Sequence, residues 1–128
     1  MLASMLSLLL AAAGSGEVTY YKDALPILQH RCQTCHRAGE IGPMSLESYK
    51  DARPWAKAIR EAVLLKRMPP WHADPRYHKF RNDLSMTPQE IETLAAWVDG
   101  GAREGDSAEA PPPRRFTPGW RIASPDAV

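Results

Sequence analysis

Asp23–His36 reads DALPILQHRCQTCH, and its last five residues decide how the rest of the chain is understood. Leu25, Leu28, Cys32 and Cys35 recur at 3–4–3 spacing, which predicts a helix carrying all four on one face. Pro26 requires that helix to begin only shortly before it, or to bend there, because proline has no N–H to give the preceding turn. His36 follows the second cysteine directly. Cys32 and Cys35 are the only two cysteines in 128 residues, too few for a disulfide-stapled secreted scaffold.

Several chemistries compete for a C-x-x-C-H pattern. Covalent c-type haem attachment uses it because two thiols one helical turn apart can add to the two vinyl groups of one haem as thioethers. The adjoining histidine is then held beneath the iron as proximal ligand. A thioredoxin-like redox pair wants a strand before it and a helix starting at the first cysteine, whereas here the helix comes first. A zinc site needs more soft ligands; His30 and His36 would complete one. A disulfide across two intervening residues is strained and closes almost no loop. The pattern favours haem, with Cys32 and Cys35 as attachment points and His36 as proximal iron ligand, and leaves the other three as alternatives.

Two more helices are readable further along. One is expected from about Ala52 to Lys66, with Asp51 as N-cap, Pro54 in the first turn and Trp55, Ile59 and Val63 along one stripe. The other opens on Thr87-Pro88-Gln89-Glu90, a capping box with proline at the first helical position. Its stripe is Ile91, Leu94, Ala95 and Val98, and Gly100-Gly101 ends it. No alternating strand pattern appears in residues 17–105, so the expected class is all-α. Between these helices lies LLKRMPPWHADPRYHKF, residues 64–80. Met68 follows the second helix directly, and Pro69-Pro70 cannot continue it. Two fixed φ angles would present the methionine sulfur from a braced loop, so Met68 is the expected distal iron ligand and His72, four residues on, its rival. Met44 reads as packing beside the haem edge, and Met86 as the hydrophobic staple of the last helix.

The ends differ in character. Residues 1–13, MLASMLSLLLAAA, carry no charge, are too short to span a bilayer and end in small residues suited to cleavage. Residues 1–16 are therefore expected to be a secretory signal peptide and short linker, placing the domain on the periplasmic or cell-envelope side of a bacterium; an uncleaved leader would act as an anchor. After Asp106 the chain is rich in proline and small polar residues, so 106–128 is expected to be an extended tail or linker. Trp120 and Ile122 are unusual in a free tail and suggest a segment packed on the domain. A formal net charge of +1 argues against nucleic acid as a partner.

Four stretches in order, DALPILQHRCQTCH, IGPMSL, RMPPWHADP and TPQEIETLAAWVDGGAREGD, resemble the small class I-like monohaem cytochromes c, especially exported bacterial domains with a Met-Pro-Pro-Trp segment. The resemblance covers roughly residues 18–105. It implies a small cytochrome c-like fold, with three main helices wrapped around one covalent haem c. It implies that the carbonyl of Pro43 accepts the Nδ1–H of His36, that Trp97 packs the last helix against the first, and that the distal ligand is the methionine of the Met-Pro-Pro run, Met68.

Trp55 and Trp71 are expected to pack on the haem, with Tyr77 and Phe80 completing an apolar wall. Arg67, Arg76, His78, Lys79 and Arg81, with Arg31 and Arg37 beside the motif, would meet the haem propionates or ring the haem edge to steer an acidic partner. The expected function is one-electron transfer by a monomeric domain acting with redox partner proteins. It would not be an enzyme in its own right, since no independent catalytic centre is visible. The alternatives are the N-terminal electron-input module of a larger exported oxidoreductase, and a haem-based gas or redox sensor.

Overall fold

A computed structural model describes residues 16–117; the stretch 1–13 expected to be a leader, and Trp120 and Ile122, lie outside these. The chain is all-α, with helices α1 (Leu25–Arg31), α2 (Tyr49–Ala52), α3 (Ala56–Leu64) and α4 (Pro88–Asp99), and no strand among the described residues.

One wide turn, Tyr20–Ala24, leads into α1. Pro26 sits in the first turn of that helix, where no backbone donor is needed. The helix ends at Arg31, earlier than the spacing of Leu25, Leu28, Cys32 and Cys35 predicts. Cys32 is its C-cap, and both Cys32 and Gln33 direct their N–H groups to the Leu28 carbonyl. Cys35 lies in a separate turn, closed by bonds from Cys35 and His36 to the Cys32 carbonyl. The cysteines therefore remain about one turn apart without sharing a continuous helix.

The middle helix also departs from expectation. Ser48, not Asp51, is the N-cap: its hydroxyl oxygen accepts the Asp51 N–H at 3.1 Å and its O–H donates to the Asp51 carboxylate at 2.6 Å. Pro54 falls inside the helical run, and Arg53–Trp55 tightens to a 3₁₀ turn between α2 and α3. The buried stripe is consequently Ala52, Ala56, Ile59 and Val63, while Trp55 is 44% exposed. At the far end Lys66 takes φ 53°, and the N–H groups of Arg67 and Met68 both return to the Ala62 carbonyl. Helix α4 follows the sequence closely. Thr87 and Glu90 form the full capping box, and Gly101 leaves the helix at φ 93°.

The core gathers where α4 packs on the Tyr20–Ala24 turn. Tyr20, Leu28, Leu94 and Trp97 are fully buried. Tyr20 meets Trp97 with ring centroids 5.8 Å apart and Tyr49 at 5.4 Å. The segment after α4 knits this region together. Arg103 O accepts the Tyr20 N–H at 2.8 Å and the Trp97 indole N–H at 3.0 Å, while Ala102 O accepts the Tyr49 hydroxyl at 2.9 Å. At the other side, Arg31 Nε lies 2.9 Å from Glu90 Oε1 and ties the end of α1 to the first turn of α4. From Asp106 the chain makes a short turn, Ser107–Glu109, and then runs extended along α1, with Gln29 Nε2 donating to Pro112 O at 3.1 Å.

Candidate functional site

Residues 42–46 wrap the C-x-x-C-H turn. Gly42 N–H donates to Cys35 O at 2.8 Å, Leu46 N–H donates to His36 O at 3.0 Å, and Leu46 O accepts from the buried Gln33 side chain at 2.9 Å. His36 Nδ1 faces Met44 O at 3.3 Å. The acceptor next to the imidazole is thus Met44, one residue beyond the expected Pro43, because the Gly42 and Leu46 bonds fix the register of the loop between them. A proton on Nδ1 for that bond leaves the lone pair on Nε2, the nitrogen that would then be free to ligate. Gly42 is required sterically: a Cβ there would lie 2.6 Å from both Cys35 O and His36 Nδ1.

The two cysteines are half-buried and unpaired. Burial pushes the Cys32 thiol up to about 12, against a smaller opposing effect of Arg31. A thiol held protonated lacks the depressed pKa of a redox-active pair. Among the described residues no three His, Cys, Asp or Glu side chains converge to hold a metal ion, which leaves the zinc alternative without a ligand set. His30 is exposed at the end of α1.

The loop after α3 is organised differently. Met68 is 43% exposed, and His72 and His78 are exposed. Trp71 is half-buried and meets Phe80 edge-on at 5.7 Å, whereas Tyr77 is 87% exposed. Among the described residues no hydrogen bond or ion pair joins residues 66–81 to the motif and its brace at 32–46. The structure thus assembles the cysteines and His36 into one braced unit and leaves Met68, His72 and Trp71 on a loop of their own. Trp55 points away from the buried stripe of its helix.

Several of the basic groups already have partners. Arg31 pairs with Glu90, Arg67 with Glu61 and Arg76 with Asp74. Arg37 pairs with Glu40 and also donates to the carbonyls of Gln33 and Thr34. Lys79 and Arg81 remain exposed. Two open surface grooves are present, one between α3 and α4 at Leu64, Leu65 and Val98, the other between α1 and the proline run at Tyr21, Gln29, Gln33 and Arg114. Neither is lined by the cysteines or His36.

Sequence reasoning missed Gln33, the backbone carbonyl of Met44 (expected only to pack its side chain) and residues 110–116 as parts of this site. Gln33 occupies a position that the motif leaves free, so no pattern marks it. The proximity of residues 110–116 to the motif arises from chain reversal and leaves no local trace. Compared with protein-family models, with curated proteins and with solved structures, the chain finds no match.

Among the described residues no helix is long and apolar enough to cross a membrane.

Proposed function

We propose that this chain is a monohaem c-type cytochrome domain that transfers single electrons. The observation that carries the reading is the braced histidine. His36 directly follows a turn bearing two unpaired cysteines, and its Nδ1 edge is engaged by the Met44 carbonyl and the close backbone at Gly42. That arrangement suits a proximal ligand, which needs a fixed ring plane and a basic Nε2.

The residues fit a covalent haem c in other ways. Each cysteine S–H would add across one vinyl C=C, sulfur bonding to one carbon and hydrogen to its neighbour, so attachment needs no net oxidation. Ile41, in the loop after the motif, and Met68, Tyr77 and Phe80, in the loop after α3, expose apolar surface that the wall of an apolar macrocycle would use. A haem iron supplies a ferric/ferrous couple, and Met68 as sixth ligand would close the iron to substrates and raise its potential. Cytochrome c-like wrapping of the helices, export to the periplasm or cell envelope, and protein redox partners belong to the same proposal.

The test is production of the full chain alongside a haem-maturation system. The expected protein stays red through denaturation and acid–acetone extraction, and its mass exceeds the polypeptide's by one haem. A colourless product with two free thiols refutes the reading.

A further inference from the structure

The C-terminal segment reaches back onto the cysteine-bearing turn. Arg114 donates to the Gln29 carbonyl at 2.6 Å, within the last turns of α1, and lies 3.3 Å from the hydroxyl of Thr34, between the two cysteines. The Phe116 ring lies against two guanidinium groups: Arg37 Cζ is 3.9 Å from its centroid and Arg114 Cζ 4.8 Å. Arg37, whose side chain is only 11% exposed, caps the carbonyls of Gln33 and Thr34. Two like charges so close together repel. The aromatic face and the carbonyls beneath offset that repulsion, since a ring face attracts each cation and the carbonyl oxygens accept their N–H groups.

We propose that residues 110–117 form a strap in which Arg114 and Phe116 are positioning residues. They hold Arg37 against the C-x-x-C-H turn and keep two guanidinium groups, one of them partly offset by Glu40, on the Gln33–Thr34 side of the turn that carries His36. The mechanical part concerns the turn itself: the strap suppresses opening of residues 33–37. The electrical part rests on the haem reading, because cations on the turn that carries the proximal ligand favour the ferrous over the ferric iron and so raise the reduction potential. Composition alone makes this stretch a linker; its contacts make it part of the site.

Hydrogen–deuterium exchange by mass spectrometry and a potentiometric titration, both on the matured full-length protein, test the two parts together. Phe116→Ala and Arg114→Gln are expected to speed amide exchange at residues 33–37 by roughly tenfold, as local opening becomes easier, and to lower the potential. Phe116→Tyr, which keeps the ring face, is expected to restore both. Arg115→Gln removes the same charge from a side chain with no bond to the motif among the described residues, and is expected to leave exchange unchanged and shift the potential less. Unchanged exchange in both Phe116→Ala and Arg114→Gln overturns the strap, as does an Arg115→Gln protein that matches Arg114→Gln in both readouts. The mass of the Cys32–Cys35 peptide in the same experiment reports the haem. If no adduct is found, the haem reading fails, and the exchange rates alone still decide the strap.

Discussion

Met68 and His72 sit four residues apart, yet the chain presents them differently. Both side chains are exposed, but Met68 is anchored by its own N–H to Ala62 O, at 3.3 Å, immediately before the two prolines, and His72 lies beyond them. On the haem proposal, Met68→Ala should abolish the weak far-red charge-transfer band of ferric methionine–histidine haem, lower the potential and open the iron to carbon monoxide. His72→Ala should leave that band in place. Visible spectra of the two variants decide, and the opposite pattern assigns the sixth position to His72. A second residue-scale prediction concerns the brace and is read on the matured protein. Gly42→Ala forces a methyl group into space filled by Cys35 O and the His36 ring. It should cost about 1–3 kcal/mol, the usual price of overpacking, measured as a lower denaturant midpoint; an unchanged midpoint shows that the brace yields freely. The juxtaposition of the histidine and the cysteines was legible in the sequence because they lie within five consecutive residues. The identity of the bracing carbonyl was not, because one residue of register in a loop depends on bonds made elsewhere.

Among the elements, α4 was the most legible, since its cap, proline and closing glycines are local signals. The run from Tyr49 to Leu64 was harder. Ser48 and Asp51 are both good caps, and the choice fell to Ser48 because the helix starts a turn before Pro54 instead of at it. The junction between α1 and α4 offers a pH test. Burial raises the Glu90 carboxyl, but bonds from Arg31 and Thr87 outweigh burial and hold it below its ordinary value. The folded protein therefore binds this proton more weakly than the unfolded chain does. The stabilisation is complete above the ordinary value of 4.5 and is lost as pH falls through the folded value. Glu90→Gln should lower Tm at neutral pH and flatten the acid limb below 4.5. Parallel Tm–pH profiles for variant and parent would show that Glu90 contributes nothing there.

At the scale of the whole molecule, the core is lopsided. Tyr20, Leu28, Leu94 and Trp97 are sealed, with alanines at positions 24, 52, 56 and 102 filling out the same cluster. The loops bearing Ile41, Met68, Tyr77 and Phe80 expose their apolar groups. A domain this small has little burial in reserve, and a bound macrocycle would stabilise the folded state in proportion to its affinity. On that argument a Cys32→Ser, Cys35→Ser protein, unable to attach haem, should be largely unfolded by far-ultraviolet circular dichroism. A spectrum of native helical intensity would show that the Tyr20–Trp97 cluster suffices by itself.

The sequence by itself determined the all-α class, the last helix and its caps, and the spacing of Cys32, Cys35 and His36, because each depends on residues within a turn or two of one another. Only the tertiary structure decided that α1 stops at Arg31, that Met44 O faces His36, that Arg31 is committed to Glu90, and that Arg114 and Phe116 return to the cysteines. Those pairings lie 8 to 85 residues apart along the chain. No periodicity encodes them, since they depend on loop register and on which segments the packing of Tyr20 against Trp97 brings together.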